Sequence, residues 1–515
     1  MSASNDKKNQ DSGFAGYTNP KAAREEAARK KEKRTNIMYA TIGIVFVLVA
    51  IIVVVWNSGI LEKTATAATI NGEKYSAAEV SYYYANTYNS FMNQNGSYAS
   101  MLGLDPQKPL KSQPCSFAEG KTWYDYFLEQ ATSQMSAVIA MSDKATESGM
   151  TWDDSLQAKL DESLAALSEG VKNYNAQSGG TMTDEQYLQA MYGTTMTMDT
   201  YQAQLKLSLL ADAYSTQHQD SLTYTDSDLA AEYKANAKSY DVVAYERVLF
   251  DSNVPTTDAD GNEVTVTDAQ KTEAVAKAKT DADALLAKYQ AGTAKLADET
   301  VGTYYEAKAD TYSDSALMNW LFDAARKPGD AAVVEEEGSG AYVVVFGTRS
   351  RNDYNTVNVR HILLSTPASE LKEEDEGYAA DVAKLKAKVK TDAEALLADW
   401  KSGAATQDSF AALAKEKSED GGSKDNGGLY EGVYKGQMVE TFNDWCFDGA
   451  RKTGDTGVVE TDYGAHIMYY VGAGEPYWQV QVRNALKEKD FSAWYAEQTK
   501  GYEVTTNKAG IQYVG

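Results

Sequence analysis

The 515-residue sequence predicts an α+β chain. It reads as a membrane-crossing helix, a mostly helical region, two small α+β units in tandem and a closing amphipathic helix. Three observations carry that prediction. Ile37 to Trp56 is an uncharged apolar run of 20 residues. Apolar and aromatic residues recur at helical spacing from Ala77 to about Tyr233. Two stretches, 279–287 and 319–330, return almost unchanged as 390–398 and 444–455.

The apolar run is long enough to cross ~30 Å of hydrocarbon as a helix. Residues 1–36 before it carry nine Lys/Arg and five Asp/Glu, a net of +4. That leaves −29 on the rest of a chain whose total is −25. The positive-inside rule places 1–36 in the cytoplasm as a basic tail, 37–56 across the membrane, and the acidic bulk outside the cell. The run exceeds the apolar core of a cleaved signal, and 36 residues precede it, so an uncleaved single-pass anchor is expected. An acidic surface argues against nucleic-acid binding, which needs cations to displace phosphate counterions. Two cysteines, Cys115 and Cys446, cannot build a disulfide framework. Three histidines exclude a histidine-rich metal site.

After the anchor, TATAATINGEKYS (64–76) reads as a short strand pair turning at Asn71-Gly72. It opens a helical domain expected to run to residue 238. Tyrosine is abundant there, with 35 in the whole chain. Its ring and hydroxyl suit either ordinary amphipathic packing or a groove that holds unfolded chains.

The repeat defines two units, 239–350 and 351–475, each reading strand, helix, helix, short helix, strand, strand. Lys279 to Lys390 is an offset of 111, whereas Trp320 to Trp445 is an offset of 125. The second copy has therefore gained 14 residues in between, placed by sequence at the Gly-rich stretch 418–436. His361 and His466 both lie in the second copy, in strand-like contexts. The first copy has Arg247 and Tyr342 instead. Only the second copy keeps the polar pieces of a site. Residues 476–515 form an amphipathic helix and a strand-like end, too little to fold alone. They are expected to pack on the helical domain.

VRHILLS (359–365), FAALAKEKSEDGGSKDNGG (410–428), GQMVETF (436–442) and DYGAHIMYY (462–470) occur in that order. Together they resemble the parvulin, or PpiC-type, family of peptidyl-prolyl isomerases. The wider layout resembles the PrsA-like and SurA-like extracytoplasmic foldases, whose helical chaperone region begins with an INGE-type strand and is completed by the C-terminal helix. The first copy resembles a degenerate parvulin domain.

The resemblance implies catalytic His361, Asp420 and His466. It implies an apolar pocket for the proline ring at Met438 and Phe442. Leu429, or its neighbour Tyr430, supplies the third wall, where Gly427-Gly428-Leu429-Tyr430-Glu431 departs from the family's usual Gly-Gly-Asp-Leu-Gly. No metal and no cofactor are implied, because no covalent bond breaks. The expected function is a membrane-anchored foldase isomerising Xaa–Pro bonds in exported proteins. The alternative is a non-catalytic holdase built on inactive parvulin scaffolds. Partners would be unfolded or partly folded exported proteins and the membrane, with no nucleic acid; a homodimer is compatible with the sequence.

Overall fold

The computed structural model describes residues 65–257, 263–298, 303–308 and 315–515, together with Val45 and Val47. The tail 1–36 and the remainder of the expected span 37–56 lie outside the described residues. Among the described residues no helix is long and apolar enough to cross a membrane. The fold is mixed α+β. Leu222–Phe491 forms one compact unit; the preceding chain and Ser492–Gly515 form another.

In the N-terminal unit, β1 (Thr66–Ile70) and β2 (Glu73–Ser76) pair antiparallel. Asn71 and Gly72 turn between them at φ of 48° and 82°, the positive values a two-residue hairpin demands. Helix α1 (Ala77–Asn95) starts at once, with Ser76 and Glu79 in a capping box. Thr122 and Asp125 do the same for α2 (Trp123–Glu147). Helices α3 (Asp154–Ser178), α4 (Asp184–Tyr192) and α5 (Met198–Ser221) follow.

The core of this unit is built on Trp123, Phe127, Met135 and Leu188, all fully buried. Tyr82, Tyr83 and Tyr84 are buried in it as well, so much of the tyrosine content is packing. The C-terminal strand Val504–Thr506 pairs with β1, and Tyr502 and Val514 join the core. Tyr124 Oη donates to the carbonyls of Ile511 and Val514, both at 3.0 Å.

The other unit begins earlier than the sequence suggested. Helix α6 (Asp226–Tyr240), assigned by sequence to the helical domain ending at 238, belongs to this unit. The first part of the closing helix, up to Phe491, belongs there too. The reason is packing: Leu229 and Tyr240 share a core with Trp478 and Val482. Arg351 lies 4.3 Å over the Trp478 ring.

Two four-stranded antiparallel sheets follow. The first copy runs β3 (Val242–Asp251), α7 (Asp268–Gln290), β4 (Thr303–Lys308), α8 (Ala316–Leu321), β5 (Ala331–Glu336) and β6 (Gly340–Ser350). Its strand order is β4-β3-β6-β5. The second copy runs β7 (Asn355–Ser365), α9 (Tyr378–Ser402), α10 (Gln407–Lys417), β8 (Leu429–Val433), α11 (Glu440–Cys446), β9 (Thr456–Thr461) and β10 (Gly464–Pro476). Its order, β8-β7-β10-β9, is the same. The closing helix α12 spans Tyr477–Thr499.

Two expectations about the repeat change. The first copy has an edge strand, β4, where β8 stands in the second. Between α7 and β4 its described residues hold only a 3-10 turn, Leu296–Asp298, in place of a second α-helix. From α7 to β4 the chain spends residues 291–302; from α9 to β8 it spends 403–428, which is 14 more. The insertion is α10 plus the loop after it, rather than 418–436. Among its described residues the first copy accordingly has one α-helix before its edge strand, not the two that the sequence suggested.

In the second copy both sheet faces are covered, which explains why β10 reads GAHIMYY, almost without polar alternation. On one face Ile362, Ala465, Ile467 and Tyr469 pack against Val389, Ala393 and Leu397 of α9 and Phe410 and Ala414 of α10. Phe410 is fully buried; truncating it to Ala would cost roughly 3–5 kcal/mol. On the other face Val357, Val359 and Met468 pack against Phe442 and Cys446 of α11.

Candidate active site

His361 and His466 lie on the two central strands. The register pairs His361 with Met468 and His466 with Leu363. Directly opposite residues share a face, and so do residues two apart. Both imidazoles therefore point to the α11 side, one step apart along the ladder. They are buried, at 3% and 6% exposure. Their Nδ1 atoms meet at 3.0 Å.

The loop after α10 brings in the acid and is fastened to β7 at both ends. Glu419 N–H donates to Leu363 O at 2.9 Å, and His361 N–H donates to Gly428 O at 2.8 Å. Gly428 sits at φ +73°, and a Cβ there would lie 2.1 Å from His361 O. Arg360, on the opposite face of β7, donates through Nη1 to the carbonyls of Asn426 and Gly427 at 2.9 and 2.8 Å. Asp420 is thereby held with Oδ2 2.8 Å from His361 Nε2. Ser423 Oγ is 3.1 Å from the same nitrogen and also donates to Asp420 Oδ2.

The titration behaviour follows from burial and these bonds. Desolvation pushes both histidines toward the neutral form. It outweighs the attraction of Asp420 for a charged His361. His466 falls to about 4, with His361 adding to the effect of burial. Partial burial pushes the Asp420 carboxyl up, but donors win. Ser423, His361 and the Gly422 N–H hold it down at about 2.

An ionised carboxylate only accepts, so His361 Nε2 carries the proton and donates. A neutral His361 then offers Nδ1 as an acceptor, and His466 Nδ1–H must donate to it. His466 Nε2 is left to accept, and Thr461 Oγ1 donates to it at 2.8 Å. Thr461 in turn accepts from Tyr463 N–H at 3.1 Å. These tautomers are inferred from the hydrogen-bond network. All four ring nitrogens are engaged, leaving no lone pair for a metal. Among the described residues no cluster of His, Cys, Asp or Glu has metal-holding geometry.

Phe442 closes the apolar side. Its ring stands edge-on to both imidazoles, with centroids 5.4 Å from each. Met438 is half-buried in the same cluster. Leu429 is not part of it. Leu429 pairs with Arg360, and Tyr430 pairs with Val359. Tyr430 therefore shares the face of the histidines, and Leu429 the opposite one. The Tyr430 ring lies 5.3 Å from His361. Of the two residues the sequence left open, Tyr430 is the one on the histidine face.

Sequence reasoning also missed Ser423 and Thr461. Thr461 pairs with Gly464, two positions from His466 on the same face, a relation that strand alternation around the DY turn could have suggested. In the first copy the equivalent positions hold Arg247 and Tyr342. The guanidinium lies 5.0 Å over the ring, and no imidazole pair exists.

Residues 343–471 match the family model of the PPIC-type PPIASE domain, and residues 29–215 match that of the SurA-like N-terminal domain. Residues 343–471 thus carry a PPIC-type PPIASE domain, and a SurA-like N-terminal domain precedes it. No curated protein matches the chain. Among solved structures it is similar to PrsA from Bacillus subtilis, at 16% identity over 74% of this chain and 86% of that one, with a TM-score of 0.29. It is similar to foldase protein PrsA from Streptococcus pneumoniae, at 12% identity over 77% and 98%, with a TM-score of 0.25. Similarity to the peptidylprolyl isomerase PrsA from Bacillus anthracis is 21% identity over 29% of this chain, with a TM-score of 0.18. The chain spans 59% of that protein and 56% of its Bacillus cereus counterpart.

Proposed function

We propose that residues 351–475 isomerise Xaa–Pro bonds in exported, incompletely folded proteins, with the helical unit holding those clients. In this reading 37–56 anchors the chain as a single span, N-terminus cytoplasmic and bulk outside. The observation that carries the proposal is the neutral His361–His466 pair, fixed by Asp420 and facing Phe442.

The two isomers of an Xaa–Pro bond differ by ~0.5–1 kcal/mol, across a barrier of ~18–20 kcal/mol. Catalysis requires only that the twisted amide bind better than either planar form. A twisted amide loses resonance, and its oxygen sheds part of its negative charge. A dry wall made of Phe442, Met438 and the Tyr430 ring suits that less polar amide and grips the proline ring. The imidazoles act as an uncharged, immobile polar floor. They carry no proton to or from the substrate.

A holdase reading has its own support. The helical unit holds a cavity of about 740 Å³ lined by Tyr84, Tyr88, Tyr124, Tyr192 and Met191, and the first repeat has no imidazole pair.

The deciding experiment measures cis-to-trans exchange of a short Xaa–Pro peptide by the full chain in detergent. A His361→Ala/His466→Ala variant with an unchanged circular dichroism spectrum is the comparison. Acceleration by the wild type and none by the variant sustains the enzyme. No acceleration by either, with aggregation of an unfolded client still suppressed, replaces it with the holdase.

A further inference from the structure

We propose that Tyr430 is a positioning residue that selects the tautomer of the histidine pair by tethering Asp420. Its hydroxyl donates to Asp420 Oδ2 at 3.0 Å. That oxygen is the one that accepts from His361 Nε2. The hydroxyl fits because residue 422 is glycine: a Cβ there would lie 2.8 Å from Tyr430 Oη. The ring also faces His361, so one side chain supplies both an apolar wall and a polar tether. This role rests on the isomerase reading above.

The chain of hydrogen bonds from Thr461 to Asp420 can run in two directions. In one, Thr461 donates to His466, His466 to His361, and His361 to Asp420. In the other every proton sits on the opposite partner, and His361 Nε2 must accept. Ser423 Oγ is within 3.1 Å of that nitrogen, and a hydroxyl can either donate or accept. With Asp420 turned away, Ser423 alone would permit both directions. An ionised carboxylate permits only the first. Asp420 lies on a loop with its side chain 19% exposed, free to turn toward water unless something holds it. Ser423 and Tyr430 are the hydroxyls that hold Oδ2. Ser423 donates to Oδ2 while the carboxylate is in place and can turn its proton to His361 Nε2 once it leaves, so Tyr430 is the hydroxyl that holds the carboxylate against that exchange.

The test is Tyr430→Phe, which keeps the ring and removes the tether. Imidazole ¹⁵N shifts report the tautomer directly. Wild type is expected to show protonated Nε2 on His361 and protonated Nδ1 on His466. In the variant both rings should move toward averaged values. Turnover of the Xaa–Pro peptide should fall about tenfold, in kcat more than KM, the scale of one hydrogen bond to a charged group. In an Asp420→Asn background, adding Tyr430→Phe should change neither readout further.

Unchanged ¹⁵N shifts in the single variant overturn the proposal, whatever the activity does. So does an equal loss of kcat in both backgrounds, which would mean that Tyr430 acts independently of Asp420. Should the wild type prove inactive, the isomerase reading falls, and the shifts still decide whether Tyr430 sets the tautomer.

Discussion

His361 and His466 share a single hydrogen bond between like atoms, Nδ1 to Nδ1 at 3.0 Å. Only one of the two rings can donate in it. The pair therefore has a polarity, set from outside by Asp420 at one end and Thr461 at the other.

Asp420→Asn replaces an obligate acceptor with a group that can also donate. The direction of the chain is released while the shape stays. We expect kcat/KM to drop roughly 10–100-fold, the worth of a hydrogen bond to a charged group. A peptide isomerisation assay at pH 7.5 measures it, and a drop under twofold would count against the polarity argument.

Stability should fall as the solution is acidified, in two stages. Above pH ~6.5 the histidines are neutral in folded and unfolded chains alike. Burial holds His466 at about 4 and lowers His361 as well. Below ~6.5 the unfolded chain therefore binds protons that the folded one refuses, and stability declines toward pH 4. Asp420, at about 2 in the folded chain, adds a second loss between pH ~3.9 and 2. Its share is ~1–2 kcal/mol once solvent screening of a partly exposed carboxylate is allowed for. Urea titrations at pH 7.5, 5 and 3.5, followed by the NMR signals of β7, would show the midpoint moving down at each step.

Gly428→Ala places a methyl group where the His361 carbonyl already sits, at a backbone angle that favours glycine. Either the loop or β7 must move, and the His361 N–H to Gly428 O bond opens. A cost of roughly 2–4 kcal/mol is expected from strain and the lost bond, with isomerase activity lost as Asp420 swings away. Thermal melting and the peptide assay together check it. Gly432→Ala, where nothing lies within 4 Å of an added Cβ, is the control for a positive-φ glycine without a close neighbour.

Grafting histidines onto the first copy should fail. Arg247→His with Tyr342→His, in a chain whose own pair is His361→Ala and His466→Ala, would restore two imidazoles in the right register. The first copy has neither α10 nor the loop that carries Asp420 and Ser423. The expected activity is that of the histidine-free chain. Measurable recovery would show that the acid end is dispensable.

Leu429→Ala and Phe442→Leu should part company. Leu429 is on the far face of β8, and its loss should leave kcat/KM within about twofold, as for a position outside the site. Phe442→Leu keeps an apolar residue, as Leu317 does in the first copy, but removes the ring facing both imidazoles. A loss of up to about tenfold is expected from the aromatic contacts alone. Steady-state kinetics on both variants separates the two faces.

The strands carrying both histidines were legible because a nearly continuous apolar run bounded by turns marks a strand covered on both faces. Ordered motifs pointed to Asp420, Met438 and Phe442, and the fold sets Asp420 on His361 and Phe442 against both imidazoles. Leu429 and Tyr430 could not be separated in sequence, since a shift of one residue exchanges the faces. The irregular register between Val357 and Val359 opposite β8 makes that shift impossible to count from turns alone. The insertion was measured correctly at 14 residues and misplaced. The repeat lengths constrain its size, and only hydrogen bonding to β3 reveals that β4 survives.

Sequence alone was enough for the α+β class, the two repeated units and the asymmetry between them, because apolar period and repeat spacing are local properties of the chain. It was not enough for the end of the helical domain, the side on which Tyr430 stands, or the direction of the hydrogen-bond chain. Those depend on partners as remote as Trp478 for α6 and His466 for His361. A residue's face is set by the strand it pairs with, and an imidazole's proton by the acceptor it meets. Neither partner is near in the chain, so folding itself had to choose them.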